Sequence, residues 1–313
     1  MRVIPRRENR VRISIPNRGL DILGWRMLPN FLIVGAQKAG TTSLWHYLRS
    51  HEDVFLPAHK EPGFFNEEFG WQKGIRWYEG VFSGAEQCRA VGEASTYYTM
   101  YPFFRGVPKR IASLLPDVRI IYIMRDPIER MRSCYVQLLT DGQERRPMKE
   151  ALFLDPGYVY LTRYAMQIRQ YFDYFPESQI MLMTAEDLRF RRTESLRKVL
   201  SFLGVSENAS MEILSEQNQS DGKRAPRASG RLILKFADCE RVPARVRGPA
   251  RTLMQLSLTT RPMLLHETEI DDDLRRRLVD LVLPDVAELR RWMGPSFMGW
   301  GLLTPESPVL MAS

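Results

Sequence analysis

A single-domain α/β fold, with a doubly wound and mostly parallel central sheet flanked by helices, is the architecture this sequence predicts. Three observations carry it. Short apolar runs of strand length alternate with amphipathic stretches of helix length from residue 29 to about residue 205. The run Phe31–Val34 is apolar throughout, as a strand covered on both faces requires, and it breaks at Gly35 before a helical pattern restarts from Gly40. The chain of 313 residues is long enough to bury the core of one large domain.

Residues 1–28 mix arginine with scattered Ile and Leu and read as an N-terminal extension, leaving 29–313 as the main domain. After the first strand, Thr41 to Arg49 sets Leu44, Trp45 and Leu48 on one helical face. Val54–Leu56 reads as a second short strand closed by Pro57, and Pro62 and Gly63 keep the following His59–Asn66 stretch irregular. Lys73–Phe82 has the pattern of a short amphipathic helix, Ala90–Glu93 that of a strand leading to Tyr97 and Tyr98, and Arg105–Leu115 that of a helix stopped by Pro116.

Val118–Met124 is dominated by β-branched residues and is the clearest strand. Asp126 suits an N-cap and Pro127 a first helical turn, so a helix follows at once and continues past Gln137. Tyr160–Phe175 is predicted helical, Gln179–Met183 a strand, and Thr193–Leu203 a helix ended by Gly204. Residues 217–262 loosen into a basic loop and an irregular or partly helical lid within the domain. Asp271–Met293 is a final amphipathic helix in which Pro284 predicts a bend.

The 45 Lys and Arg against 37 Asp and Glu leave a net charge of +8, which favours an anionic ligand or simply a basic, solvated surface. Cys88, Cys134 and Cys239 are widely spaced and only four histidines are present, so neither a disulfide framework nor a zinc site is expected, and no metal. The charged N-terminus is followed by no continuous apolar segment, which argues against a signal peptide or membrane span and for a cytoplasmic placement.

The segment from Gly35 to Ser43 joins a strand to a helix through a glycine-bounded loop, a geometry that aims backbone N–H groups and a helix dipole at one anion. A nucleoside triphosphate loop places lysine directly after its second glycine. Here Thr41 follows Gly40, and Lys38 lies inside the loop. The inward cation suits a ligand with one 5′ phosphate bearing a second anionic group, and it removes the residue a kinase would rely on.

Gly35-Ala-Gln-Lys-Ala-Gly-Thr-Thr-Ser43 resembles the 5′-phosphosulfate loop of sulfotransferases that use 3′-phosphoadenylyl sulfate (PAPS). Tyr122-Ile-Met-Arg-Asp-Pro-Ile-Glu-Arg-Met-Arg-Ser133 resembles that family's 3′-phosphate motif, which maps its arginine and serine onto Arg125 and Ser133. Lys60-Glu-Pro-Gly-Phe-Phe-Asn66, Lys73-Gly-Ile-Arg-Trp-Tyr78 and Gly92-Glu-Ala-Ser-Thr-Tyr97 are similar to the heparan sulfate branch and its bacterial relatives. The likeness covers residues 30 to 205 well and the remainder loosely. It implies a P-loop-like fold and transfer of a sulfuryl group from PAPS to a hydroxyl or amine of a carbohydrate or glycosylated small-molecule acceptor.

The resemblance also implies roles. Lys38 would stabilise charge on the leaving side, while Thr41, Thr42 and the N–H groups of Ala39, Gly40 and Thr41 would hold the 5′ phosphate. Glu61 matches the carboxylate that takes the acceptor's proton; its alternative is a surface residue or an ion pair with Lys60. Burial beside Phe64 and Phe65 would raise its pKa. Arg125 is either a phosphate ligand at a strand end or a partner of Asp126 or Glu129. Lys223 and Arg227, in Gly222–Arg227, are the candidates for a late basic loop over the 3′ phosphate and adenine, against a solvated turn.

Ala94 stands where the glycosaminoglycan enzymes commonly have lysine, so Glu93 is either structural or acts with Glu61. Two readings compete with the sulfotransferase: a P-loop nucleotide-dependent kinase, and a nucleic-acid-binding protein using arginines 224–251, although no recognition helix or stacking platform is visible. The preferred reading has no nucleic-acid partner.

Overall fold

The computed structural model describes residues 27–207, 224–226, 260–262 and 268–303. Five strands, β1 (Phe31–Gly35), β2 (Val54–Phe55), β3 (Ala90–Ala94), β4 (Arg119–Met124) and β5 (Ile180–Thr184), form one sheet in the order β2-β3-β1-β4-β5. All four neighbouring pairs are parallel. Strand order reverses around β1, and in such sheets ligands sit beyond the carboxyl end of the strand where the chain changes direction.

The described helices are α1 (Thr41–Arg49), α2 (Ile75–Gly80), α3 (Val107–Leu114), α4 (Pro127–Thr140), α5 (Met148–Leu154), α6 (Pro156–Tyr160), α7 (Tyr164–Phe172), α8 (Ala185–Phe190), α9 (Arg192–Leu203) and α10 (Asp272–Met293). The period-two alternation along the strands sorts the core into two layers. Leu32, Val34, Ile120 and Tyr122 face Tyr78 of α2, Ile111 of α3 and Ile168 of α7. Phe31, Ile33, Ile121 and Ile123 face Leu44 and Leu48 of α1 and Val199 and Leu200 of α9. Each such side chain contributes roughly 1.5–3 kcal/mol on burial, which is why the strands are apolar on both faces. The sheet is therefore doubly wound, as the alternation of the sequence predicts.

A third cluster joins α4, α5 and α6 to α10 through Met131, Leu152, Tyr158, Leu278 and Val282. The α10 stripe Leu274, Leu278, Val282, Val286 and Leu289 is fully buried, and the helix continues through Pro284 for 22 residues. Its packed face offsets the hydrogen bond that proline cannot make.

Three departures from sequence expectation have local causes. Strand β2 stops at Phe55, one residue short of Leu56. The helix predicted over Tyr160–Phe175 is divided: the Tyr158 carbonyl accepts from the Thr162 hydroxyl at 2.6 Å and from Arg130 at 3.1 Å, so the chain turns before α7 begins at Tyr164. Helices α5 and α8 have no counterpart in the sequence reading; α8 starts where the Thr184 hydroxyl accepts from the Asp187 amide. Strands β6 (Arg224–Pro226) and β7 (Thr260–Pro262) form a separate antiparallel pair. The N-terminal extension to residue 26 and the rest of the 217–262 lid lie outside the described residues.

Candidate functional site

The turns after β1, β3, β4 and β5 surround one open cleft of about 780 Å³, lined by residues of the β1–α1 loop, the Lys60–Glu61 loop, Thr96, Tyr97, Arg125, Ser133 and α8. The β1–α1 loop is drawn tight by backbone geometry. Gly35 lies so close to Thr99 that an added Cβ would come within 2.0 Å of its hydroxyl, which itself donates to the Val34 carbonyl at 2.8 Å. Gly40 caps α1 at φ 95°, a left-handed position natural to glycine, and no side chain caps the helix. The first-turn amides of α1 thus point to an open N-terminus with no acidic residue in that turn, a ready seat for an anion. Of the amides named for that role, Ala39 N–H already donates within the loop, to Ala36 O at 3.2 Å.

Lys38 sits at φ 68°, a conformation that costs a non-glycine residue about 1–2 kcal/mol. Its Nζ donates to Gln137 Oε1 of α4 at 3.3 Å. Behind the loop, Arg130 is wholly buried; its Nε donates to Gln37 O at 3.0 Å, and its Nη1 donates to Tyr158 O and to the Thr162 hydroxyl at 2.9 Å. The guanidinium ties the β1–α1 loop to α4 and α6.

On the opposite wall, the Lys60 ammonium donates to the hydroxyls of Thr41 at 3.2 Å and Thr42 at 3.0 Å and lies 3.6 Å from Glu61 Oε1. Glu61, at φ 62°, donates its amide to Ala94 O at 2.9 Å, and its Oε2 accepts from Thr96 N at 2.6 Å and Thr96 Oγ1 at 3.2 Å. Burial pushes the Glu61 carboxyl above its ordinary range despite the Lys60 charge and the Thr96 bonds, and burial likewise pulls the Lys60 ammonium down. The rings of Phe64 and Phe65 turn into the core, where Phe64 stacks on Tyr78 at 4.1 Å and Phe65 meets Tyr98 edge to face. The ion pair with Lys60 is present, and Glu61 also lines the cleft.

Arg125 and Ser133 line the same cleft from the end of β4 and the second turn of α4. Arg125 also pairs with Glu129 at 3.5 Å, and Arg132 approaches Glu129 at 3.8 Å. Asp126 caps α4 through bonds from the Ile128 and Glu129 amides. Glu186 of α8 braces that turn, its two oxygens accepting from Asp126 N at 3.0 Å and Trp300 Nε1 at 2.8 Å.

The structure thus brings Lys38, Gly40, Thr41, Thr42, Glu61, Arg125 and Ser133 to one cleft. Ala39 is buried behind the loop, and Lys223 and Arg227 fall outside the described residues, although the backbone of the neighbouring strand β6 packs near α4. Sequence reasoning missed Thr96, Gln137, Arg130, Arg132 and the wall made by Arg189 and Phe190 of α8 with Arg192 at the start of α9. Among the described residues no cluster of three or more His, Cys, Asp or Glu could hold a metal, and no helix is long and apolar enough to cross a membrane.

Residues 28–231 match the family model described as "Sulfotransferase domain". The mouse heparan sulfate glucosamine 3-O-sulfotransferase 3A1 is 28% identical over 191 residues, covering 58% of this chain and 47% of that protein. The mouse bifunctional heparan sulfate N-deacetylase/N-sulfotransferase 4 is 32% identical over 205 residues, covering 57% of this chain and 22% of that protein. The matched region therefore spans about half or less of these relatives. A solved sulfotransferase from Alicyclobacillus acidocaldarius superposes with a TM-score of 0.63 at 26% identity, covering 88% of this chain and 99% of that one.

Proposed function

The chain belongs to the sulfotransferase-domain family, and on that premise we propose that it transfers the sulfuryl group of PAPS to a hydroxyl or amine of a carbohydrate or small-molecule acceptor. The observation that carries the reading is the meeting of the Lys38 loop, Arg125 with Ser133, and Glu61 around one cleft of about 780 Å³. That volume suits a nucleotide-sized ligand. PAPS supplies the sulfuryl group when bound.

The open N-terminus of α1 and the Thr41 and Thr42 hydroxyls would hold the 5′ phosphate, and Arg125 and Ser133 the 3′ phosphate. Lys38 and Lys60 would set two positive charges where negative charge grows on the departing phosphate oxygen. Glu61 would take the acceptor's proton as its oxygen or nitrogen bonds to sulfur and the bridging S–O bond breaks. The elevated Glu61 pKa supports a base role, because a stronger base is a better proton acceptor. The kinase reading loses support from the position of Lys38, since Thr41 follows Gly40.

Labelled PAPS tests the site directly. Lys38→Ala and Arg125→Ala are expected to weaken its binding about ten- to a hundredfold each, as loss of one charge-assisted hydrogen bond does. Unchanged affinity in both variants would overturn the assignment. Adenosine 3′,5′-bisphosphate is expected to raise the thermal midpoint without added metal, whereas stabilisation only by ATP with magnesium would favour a kinase.

A further inference from the structure

Glu93 is fully buried at the end of β3, away from any solvent, and three hydroxyls converge on it. Tyr78 and Tyr98 donate to Oε1, each at 2.7 Å, and Ser95 donates to Oε2 at 2.6 Å. Two of those hydroxyls accept in turn from the backbone of the loop that carries Glu61: Gly63 N–H donates to Ser95 Oγ at 3.0 Å, and Phe65 N–H donates to the Tyr98 hydroxyl at 3.3 Å.

The direction of these bonds is fixed by chemistry. A backbone N–H can only donate, so each hydroxyl must accept there and send its own proton onward to Glu93. We propose that Glu93 is a positioning residue for the proton-accepting step: its ionised carboxylate ends two polarised donor chains that begin at Gly63 and Phe65 and so fix the backbone of the Glu61 loop against Thr96. The proposal rests on the reading of Glu61 as the base and extends it to the group that sets where the base stands.

Only the ionised form accepts from all three hydroxyls at once. Burial pushes Glu93 up, the Ser95, Tyr98 and Tyr78 bonds hold it down, and the balance leaves it at about 7. The groups that bear on it are Tyr78 of α2, Ser95 and Tyr98 after β3, Tyr171 of α7 and the like charge of Glu61. The donor chains are therefore complete above neutrality.

Glu93→Gln keeps the size of the side chain and replaces one acceptor oxygen by an NH₂ donor. Whichever way the amide turns, that donor faces a hydroxyl that is already committed to donating, and one chain breaks. With PAPS and an accepted acceptor, E93Q is expected to lower kcat about ten- to a hundredfold with little change in KM for PAPS, the loss expected of a base displaced by about 1 Å. Its kcat–pH profile is expected to reach a lower plateau and to lose the rise near pH 7 that ionisation of Glu93 imposes on the wild type. Amide hydrogen exchange over residues 60–66 is expected to accelerate in E93Q.

Ser95→Ala removes one chain alone; should E93Q not fold, it is expected to give the same kcat-selective loss and faster exchange. Wild-type kcat, pH profile and amide exchange in E93Q, or in S95A where E93Q does not fold, would overturn the proposal. If the wild-type protein neither binds PAPS nor transfers sulfate, the proposed function fails, and exchange at residues 60–66 still decides whether Glu93 holds that loop.

Discussion

Glu61 sits between two influences of opposite sign. Lys60 at 3.6 Å stabilises its charge, while burial works against it. Replacing Lys60 by methionine keeps much of the packing and removes the favourable charge, so the acid limb of the kcat–pH profile is expected to move to higher pH. Under the proposed base role, Glu61→Gln is expected to lower kcat about a hundred- to ten-thousandfold with PAPS affinity within about twofold, because such a base acts only when the proton moves. Retained turnover in E61Q would send the search for the base elsewhere in the cleft. The adjacency of Lys60 and Glu61 was visible in the sequence; what was not visible is that the ammonium also reaches Thr41 and Thr42, a contact spanning nearly twenty residues.

At the scale of elements, helix α4 serves the site on two sides. One side presents Ser133 to the cleft and holds Lys38 through Gln137, and the other carries Arg130 into the interior, where it binds the Gln37 carbonyl and the α6 end. Arg130→Met is expected to cost about 2–4 kcal/mol, since it removes three hydrogen bonds in the interior, among them the one to the Gln37 carbonyl. A urea titration should show this as a lower midpoint at unchanged slope, accompanied by weaker PAPS binding as the loop loosens. A stable variant with native affinity would show that α4 and the loop are held by apolar packing alone.

These elements also mark the boundary of what sequence reading reaches. The strands β1, β4 and β5 and the Asp126 cap were predictable because their signals are local: apolar runs with β-branched residues, and a carboxylate followed by proline. Arg130 looked like any polar helix residue, since its burial depends on a partner helix α6 whose own pattern is too short to register. Helix α8 was missed for the same reason, and with it one wall of the cleft.

For the molecule as a whole, buried carboxylates set the response to pH. Glu93 rises from 4.5 to about 7 and Asp285 from 3.8 to about 6, in each case chiefly through burial. Between those values the folded state keeps a proton that the unfolded chain has released, so stability falls as pH rises and levels off above about 7. Glu144 acts in the other direction: its bonds with Arg146 hold it down to about 2, and the stability it contributes is lost as pH falls from 4.5 toward 2. The urea midpoint is therefore expected to be highest near pH 4, and Asp285→Asn to flatten the decline toward pH 7. A midpoint that climbs steadily from pH 5 to pH 8 would contradict this account.

Asp285 has a second connection. Its carboxylate accepts from the Ala165 and Met166 amides at the start of α7, the neighbouring Tyr164 hydroxyl donates to the Arg125 carbonyl at 2.8 Å, and Trp300 reaches Asp126 through Glu186. The turn that carries Arg125 is thus steadied by residues synthesised more than a hundred positions later, and by a segment beyond the family match at residue 231. On a ribosome, a nascent chain would display the Lys38 loop long before the Arg125 turn is braced. Donor-dependent resistance to proteolysis should accordingly be lost in fragments that stop before Asp285 and be present only where Trp300 is included.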